Sequence, residues 1–271
     1  MNSSMITAAV SMGALQQRLD LLADNVANLN TVGYKRKTAV FEDILTSVNR
    51  QLEDFNQPGR KTPLGLVGGW GTKLVSIHTD MTQGSLQETG IMTDVAIEGN
   101  GLFEVRTADG ARAFTRHGPF QLLPDGEGER VLLTNTGQQV IGVGDEPVRV
   151  PNGYDLRIAE DGALTGVSED GLETVDLGRL KLVELTNSDL LRALADNLFG
   201  IPADVDPGSV VRELADGDVG IAVRQGFVEQ SNVSMAEETS DLMMVQRAYQ
   251  LSARALSSSE QMMGLANSLR G

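Results

Sequence analysis

Apolar residues near the N-terminus recur at alternating spacings of three and four, which is the pattern of a heptad repeat. The repeat consists of Met5, Ala8, Met12, Leu15, Leu19, Leu22, Val26 and Leu29. A heptad repeat of this length is typical of an α-helix that packs against other helices as in a coiled coil. Arg18, Asp20 and Asp24 are the only charges in the first 30 residues. Because so few charges interrupt the helix, we expect most of its surface to be covered.

The C-terminal region predicts a second long helix that begins after Ser234. Ser234 and Glu237 have the spacing of a capping box, in which each side chain bonds a backbone N–H at the start of the helix. Glu237, Glu238 and Asp241 place negative charge in the first turn, where the helix dipole favours it.

This C-terminal helix carries two neighbouring apolar stripes. The outer stripe, as we name it, contains Met244, Ala248, Leu251, Ala255, Ser258, Met262, Leu265 and Leu269. The inner stripe contains Leu242, Val245, Tyr249, Ser252, Leu256, Ser259, Met263 and Ala266. Two adjacent stripes form a face too wide for one partner helix, so we expect contact with several helices. The alternative is a two-helix hairpin that covers a core within one monomer.

Between the two helices, short apolar runs are separated by turn residues. From about residue 76 to 185 the turns are Gly99-Asn100-Gly101, Asp109-Gly110, Asp125-Gly126, Asn135-Thr136-Gly137, Asn152-Gly153, Asp161-Gly162 and Asp170-Gly171. Turns at this spacing predict an all-β domain of hairpins. Residues 31–75 contain Pro58-Gly59 and a glycine cluster that includes Gly68 and Gly69, and they indicate extended chain or loop.

Composition narrows the possible partners. The net charge of −15 disfavours nucleic acid, and the tight basic run Lys35-Arg36-Lys37 is typical of a solvated loop. The chain has no cysteine, which excludes disulfides and thiolate metal sites. No stretch reaches the roughly 20 apolar residues that span a bilayer, so membrane insertion is not expected. The N-terminus has no positive charge before Arg18, which argues against a cleaved Sec signal peptide.

Candidate chemistry is sparse. His78 and His117 lie in strand-like or turn segments without metal-binding spacing, and they indicate ordinary packed or surface histidines. No hydrolase nucleophile elbow, dinucleotide fingerprint or phosphate loop is present with correct spacing. The carboxylates are scattered and define no catalytic pair. We therefore expect no catalytic residue, no metal site and no cofactor.

Several motifs together resemble those of the flagellar rod, hook and hook-associated proteins. Residues 22–36 contain the run N-x-A-N-x-x-T-x-G-Y at the end of the first helix. Residues 94–105 are similar to D-x-A-I-x-G-x-G-F-F-x-V, and residues 114–120 to Y-T-R-D-G-x-F. Residues 225–233 resemble Q-G-x-x-E-x-S-N-V, and residues 246–249 read Q-R-A-Y. The motifs cover nearly the whole chain in the family's order, with Leu102 in place of an aromatic residue and His117 in place of an acid.

The resemblance implies a structural subunit of the flagellar rod rather than an enzyme. In this family the terminal helices would form an inner tube, and subunits would stack helically into a hollow shaft that transmits torque from the motor to the hook. The implied partners are further copies of the chain, neighbouring rod and hook proteins, and the type III apparatus that exports the family to the basal body without cleavage. The length fits a rod protein, of the distal or the proximal type, better than the longer hook proteins.

The expected fold is mainly β with long terminal α-helices that pair in a coiled-coil-like bundle. We expect a terminal helical domain at 1–33 plus 234–271, an extended linker at 34–75 plus 205–233, and a central all-β domain at 76–204. A flagellar hook protein, or a non-enzymatic adaptor with a helical oligomerisation stalk, is the alternative to a rod subunit.

The residues expected to matter lie at interfaces and at the end of the first helix. The expected assembly interface consists of Leu15, Leu19, Leu22, Val26, Leu251, Leu256, Met262 and Leu265. Ordinary packing within one chain is the alternative for each. Asn25, Asn28 and Gly33 are expected to shape the helix exit, because asparagine and glycine tolerate the left-handed conformation that stops a helix.

Overall fold

A computed structural model describes residues 2–43, 46–49, 66–69, 71–126, 128–168, 170–195, 197–214 and 220–269. Within these ranges the α-helices are α1 (Asn2–Ala27), α2 (Pro207–Val210) and α3 (Met235–Ser268), and a short 3-10 helix spans Ser188–Leu190. The strands are β1 (Lys37–Asp43), β2 (Thr46–Asn49), β3 (Leu66–Gly69), β4 (Thr72–Thr79), β5 (Leu86–Glu88), β6 (Val95–Glu98), β7 (Gly101–Arg106), β8 (Arg112–Thr115), β9 (Phe120–Pro124), β10 (Glu129–Thr134), β11 (Gln139–Val140), β12 (Arg149–Pro151), β13 (Tyr154–Ile158), β14 (Ala163–Ser168), β15 (Thr174–Arg179), β16 (Leu182–Leu185), β17 (Arg192–Ala193), β18 (Leu198–Gly200), β19 (Val211–Glu213), β20 (Ala222–Gln225) and β21 (Phe227–Glu229).

The chain divides into two compact units. The terminal unit consists of Met1–Val26, Lys37–His78 and Met235–Gly271, and the β unit consists of Ala27–Arg36 and Thr79–Ser234. The fold is mainly β, and the N- and C-terminal helices pack together, as predicted. Coiled-coil packing and the three-part division stay predictions. Residues 51–65 of the expected linker, with Pro58-Gly59, lie outside the described residues.

The β unit is built on an antiparallel sheet with strand order β12-β10-β11-β7-β8-β18-β17, to which β9, β16 and β19 are attached. Strand β7 is central because it pairs with β8, β11 and β16. Strands β13, β14 and β15 form a second sheet, and β6 and β5 pair with β20 and β21. The predicted turns Asp161-Gly162 and Asp170-Gly171 connect β13 to β14 and β14 to β15, which confirms the hairpin interpretation there.

The main core lies in the β unit and follows from this topology. Residues 101–105 of β7 are buried without interruption, since a central strand is covered on both faces. The rings of Phe103 and Phe120 meet edge to face, with centroids 5.1 Å apart. This arrangement lets the positive ring edge contact the negative ring face. Aliphatic side chains such as Val105, Leu132 and Val150 fill most of the rest of this core.

The terminal unit contains two strand pairs, β1 with β4 and β2 with β3. Side chains of Lys37–Glu42 in β1 alternate strictly between half-buried and exposed, the period of a strand covered on one face. Gly68 and Gly69, which were expected to be extended chain or loop, lie in β3 opposite Ser47 and Thr46. Hydrogen bonds between β2 and β3 satisfy the backbone groups of these glycines. The spacing of glycines along the chain does not reveal such a pairing between distant segments.

Candidate assembly surface and helix exit

Helix α1 ends in a turn built by Asn28 and Thr31. The N–H of Thr31 donates to the carbonyl of Asn28 at 3.1 Å, and the Thr31 hydroxyl donates to Asn28 Oδ1 at 3.1 Å. The chain then reaches Gly33 with φ of +69°, in the left-handed region. The helix exit expected from the sequence therefore has a defined geometry in the β unit.

Gly33 also lies unusually close to another segment of the β unit. A Cβ at this position would stand 2.9 Å from the carbonyl carbon and oxygen of Arg116 and from Cα of His117. The Gly33 N–H donates to the backbone oxygen of Glu229 at 2.8 Å. Both the positive φ and the close approach of backbone atoms require glycine here.

Lys35, Arg116 and Glu229 form a buried ion cluster in the β unit, which we name the exit clamp. Lys35 Nζ lies 2.8 Å from Glu229 Oε1, and Arg116 Nε lies 2.7 Å from Glu229 Oε2. The residues are only 3%, 4% and 1% exposed, respectively. Buried charges are tolerated when they are paired and hydrogen-bonded, and removal of one partner is strongly destabilising.

The exit clamp also bonds backbone groups of neighbouring segments. Glu229 Oε1 accepts from the N–H of Gly84 at 2.8 Å, and Lys35 Nζ donates to the carbonyl of Thr82 at 2.7 Å. Arg116 Nη1 donates to the carbonyl of Gly101. One carboxylate thus holds together segments that are far apart in the sequence.

Asn232 reinforces the same junction. Its Oδ1 accepts from the N–H of Arg36 at 2.7 Å, and its Nδ2 donates to the carbonyl of Asp80 at 2.9 Å. Residues 33–36 are therefore bound to residues 80–84 and 229–232 by both charge and hydrogen bonds within the β unit.

In the Lys35–Glu229 pair, burial and neighbouring charges shift the two pKa values with different outcomes. Burial by itself works to raise the pKa of the Glu229 carboxyl, but the charges of Arg116 and Lys35 outweigh it and hold the pKa below its usual value. Burial lowers the pKa of Lys35 below its usual value, and attraction to Glu229 offsets only part of that effect. The carboxylate is thus the group that the fold stabilises in its charged form.

The sequence did not reveal the exit clamp. The basic run Lys35-Arg36-Lys37 was interpreted as a solvated loop, which is wrong for Lys35 because its ammonium is buried against Glu229. Arg116 and Glu229 both lie within the family motifs, yet spacing along the chain does not show that they meet. The available signal was that one acid, Glu229, and two bases, Lys35 and Arg116, lie in separate motifs of the family.

Asn25 makes a different set of contacts, inside the terminal unit. It is buried in α1, where its Oδ1 accepts from the N–H of Lys37 at 3.0 Å and its Nδ2 donates to the carbonyl of Lys37 at 2.9 Å. The same Nδ2 lies 3.2 Å from Glu238 Oε2 on α3. One amide therefore joins α1, the start of β1 and the first turn of α3.

We expect Asn25→Ala to destabilise the terminal unit by about 2 to 4 kcal/mol, because it removes both hydrogen bonds that the buried Asn25 side chain makes to the backbone of Lys37. Urea unfolding followed by far-ultraviolet circular dichroism measures this loss. Asn30→Ala, at an exposed asparagine just beyond the helix, is the matched control and should change stability little. Equal effects of the two substitutions would contradict the role given to Asn25.

The heptad repeat of α1 is largely covered within the single chain. Leu22 is 4% exposed, and Leu15, Leu19 and Val26 are half-buried. Packing inside the chain already accounts for Leu22, so its role in assembly stays a prediction. The half-buried positions leave part of the α1 surface accessible to a further helix.

The structure distinguishes the two stripes of α3. On the inner stripe, Val245 is buried and the other positions from Leu242 to Met263 are half-buried, including Leu256. On the outer stripe, Leu251 and Leu265 are 64% and 65% exposed, and Met244 and Met262 are also exposed. The sequence predicted both stripes, but only the structure shows that one of them is left uncovered in the single chain.

The described residues give little support for other kinds of site. His117 is half-buried, and burial lowers its pKa, with Asp94 opposing that shift. In the terminal unit, His78 Nε2 lies 2.8 Å from the hydroxyl of Ser76. No cluster of three or more His, Cys, Asp or Glu side chains suited to a metal occurs among the described residues.

Helices α1 and α3 lack an apolar stretch that could cross a membrane, and the same holds for every helix in the described part of the chain.

Three family models match successive parts of the chain. Residues 5–35 match the flagella basal body rod protein model, and residues 96–171 match the D1 domain of the flagellar hook protein FlgE/F/G. Residues 224–269 match the C-terminal model of the flagellar basal body rod FlgEFG proteins. These segments hold α1 with the helix exit, the centre of the β unit, and Glu229 with α3.

Relatives match over nearly the full length. The chain is 33% identical to the flagellar basal-body rod protein FlgG of Borreliella burgdorferi over 267 residues, covering 97% of each chain. It is 34% identical to FlgG of Buchnera aphidicola subsp. Acyrthosiphon pisum, covering 96% of each. It is 31% identical to the flagellar hook-basal body complex protein FlhP of Bacillus subtilis, covering 98% of this chain and 99% of that one. Because it is more than 30% identical to two FlgG proteins over nearly their full lengths, the chain belongs to the flagellar basal-body rod protein family.

Proposed function

We propose that this protein is a structural subunit of the bacterial flagellar rod and that its copies polymerise helically through the outer stripe of α3. The observation that carries the proposal is the exposure of Leu251, Met262 and Leu265 on one face of a long helix. Contiguous exposed apolar side chains typically mark a protein interface. Burial of each such side chain would contribute about 1.5 to 3 kcal/mol.

The proposed contact would join two different surfaces and would therefore produce an open polymer of the subunit. The outer stripe and the half-buried repeat of α1 are different surfaces, so a contact between them on separate copies is heterologous. Heterologous contacts that do not close into a ring produce helical filaments. In this proposal Leu15, Leu19, Leu22 and Val26 pack against neighbouring α3 helices in a coiled-coil-like bundle, and Leu256 supports α3 from its inner side.

The remaining elements of the proposal come from the family. The subunit would lie in the basal body after export through the flagellar apparatus without a cleaved signal peptide, with rod and hook proteins as neighbours. The terminal helices would make the assembly contacts, and an extended linker would connect them to a central β domain. The relatives are basal-body rod and hook-basal body proteins, which supports this placement.

We expect Leu251→Asp to abolish rod assembly and motility while leaving the fold of the chain intact. A carboxylate at this position would have to be desolvated in every contact of the polymer, at several kcal/mol each. Because Leu251 is mostly exposed in the single chain, the thermal unfolding temperature should change little. Swimming assays and recovery of rods from cells measure the effect.

Ser257→Asp is the matched control, because it adds the same charge at an exposed position of α3 outside both stripes. Cells with this variant should swim. Normal swimming with Leu251→Asp, or loss of motility with both variants, would show that the outer stripe is not the assembly surface.

A further inference from the structure

Helix α3 is rich in methionine. Five of the ten methionines of the chain lie on it, and four of these five are exposed. Of the other described methionines, only Met92 in the β unit is exposed. The chain has no cysteine, so the thioether groups of methionine are its most readily oxidised side chains. These groups are therefore concentrated on the surface of α3.

Two pairs of adjacent methionines on α3 place their members on different faces of the helix. Met244 and Met262 belong to the outer stripe, and the roughly five helical turns between them bring them to the same side. Met243 lies outside both stripes, and Met263 lies on the inner stripe and is half-buried. Met243, Met244 and Met262 are 54%, 57% and 52% exposed, so an oxidant can reach all three in a single copy. They differ in the face they occupy and not in their access to solvent.

Oxidation turns a methionine from an apolar into a polar side chain. The thioether sulfur attacks one oxygen of hydrogen peroxide, the S–O bond forms as the O–O bond breaks, sulfur loses two electrons, and water leaves. The product is a sulfoxide, whose oxygen accepts hydrogen bonds. Burial of such an oxygen without a donor is unfavourable. The apolar contact proposed for the outer stripe supplies no such donor.

We infer that Met244 and Met262 form an oxidation site that controls the addition of this subunit to the rod. In the free subunit both thioethers are open to peroxide, and their sulfoxides prevent the outer stripe from packing against a second copy. In the assembled rod the contact covers both thioethers and protects them. Reduction of the sulfoxide by a sulfoxide reductase restores the thioether, so the block is reversible. This inference rests on the proposed polymerisation and names a means of regulating it.

Peroxide footprinting of the full chain tests whether assembly protects the two thioethers. Purified monomer and isolated rods receive the same dose of hydrogen peroxide, and peptide mass spectrometry measures the sulfoxide at each methionine. In the monomer, Met243 and Met244 should oxidise at similar rates. In rods, Met244 and Met262 should oxidise about tenfold more slowly, while Met243 should not, because susceptibility follows exposure. Equal protection of Met243 and Met244, or no protection of Met244, would overturn the inference.

A peroxide pulse given to cells while new rods form measures the effect on assembly. The strains carry the wild type, Met244→Leu with Met262→Leu, or Met243→Leu as the matched control. Leucine is apolar, similar in volume and not oxidised by peroxide, so all three strains should form rods without the pulse. The pulse should stop new rods in the wild type and in Met243→Leu, whereas the double variant should continue. Equal inhibition of all three strains, or of none, would contradict the role of Met244 and Met262.

Glutamine at both positions imitates the sulfoxide without an oxidant. Because Met244 and Met262 are exposed, the unfolding temperature of Met244→Gln with Met262→Gln should match the wild type, while rods should be lost. Met243→Gln is the matched control and should give normal rods. Normal rods from the double glutamine variant would overturn the inference, and the rod function would still stand if Leu251→Asp abolishes assembly. Normal rods from Leu251→Asp would instead contradict the proposed polymerisation surface.

Discussion

Replacing Glu229 by glutamine is expected to lower the free energy of unfolding by about 3 to 5 kcal/mol, the usual effect of removing one partner from a buried ion pair. The substitution keeps the shape of the side chain but removes its charge. Lys35 and Arg116 would then remain buried beside a neutral amide. Depending on its orientation, the amide NH₂ group would also face either the N–H of Gly84 or Arg116 Nε, and it could not accept from that donor.

Chemical denaturation of the full chain at neutral pH measures this loss. Glu160→Gln is the matched control, because it removes the same charge from an exposed position of the β unit and should change stability by less than about 0.5 kcal/mol. A Glu229→Gln variant as stable as the control would show that the exit clamp does not stabilise the fold.

The pH dependence gives a second signature of the same residue. The folded-state pKa of Glu229 lies below the usual glutamate value, so between these two pKa values the unfolded chain binds more protons than the folded one. The contribution of Glu229 is therefore complete above the usual glutamate pKa and is lost as the pH falls through the folded-state pKa. The stability difference between wild type and Glu229→Gln should accordingly shrink in acid, and a difference that does not change with pH would contradict this assignment.

Gly33→Ala is the second substitution with a large expected effect, a loss of about 2 to 6 kcal/mol that combines a strained backbone with a steric clash. Gly33 has φ of +69°, which costs an alanine energy at any position. The new Cβ would also stand 2.9 Å from backbone atoms of Arg116 and His117. Backbone atoms cannot rotate away as a flexible side chain can, so the exit turn or the 116–117 segment must shift.

Gly110→Ala separates the two causes. Gly110 has φ of +79°, but a Cβ there would meet no atom within 4 Å. Alanine at Gly110 should therefore lose only the conformational part, about 1 to 2 kcal/mol. Thermal or urea unfolding of both variants measures the difference. Equal losses of unfolding free energy would show that the close approach at Gly33 does not contribute to the effect of the substitution.

Several features of this protein could be predicted from local sequence patterns. The heptad repeat located α1, the capping box of Ser234 and Glu237 located the start of α3, and the Asp-Gly and Asn-Gly pairs located hairpin connections. Each of these depends on interactions between residues a few positions apart, so the one-dimensional pattern contains the information. The ordered set of family motifs then indicated a structural rod protein rather than an enzyme.

Tertiary structure decided which apolar positions are covered and which charges are buried. Periodicity showed two stripes on α3, but a stripe does not reveal its partner. Only the fold showed that the inner stripe is partly covered and that Leu251 is exposed. Lys35 and Glu229 are 194 positions apart in the sequence. Each belongs to a residue type that is usually found on the solvated surface. Burial of a charge depends on which partner the folded chain brings within hydrogen-bonding distance, and spacing along the sequence does not contain that distance.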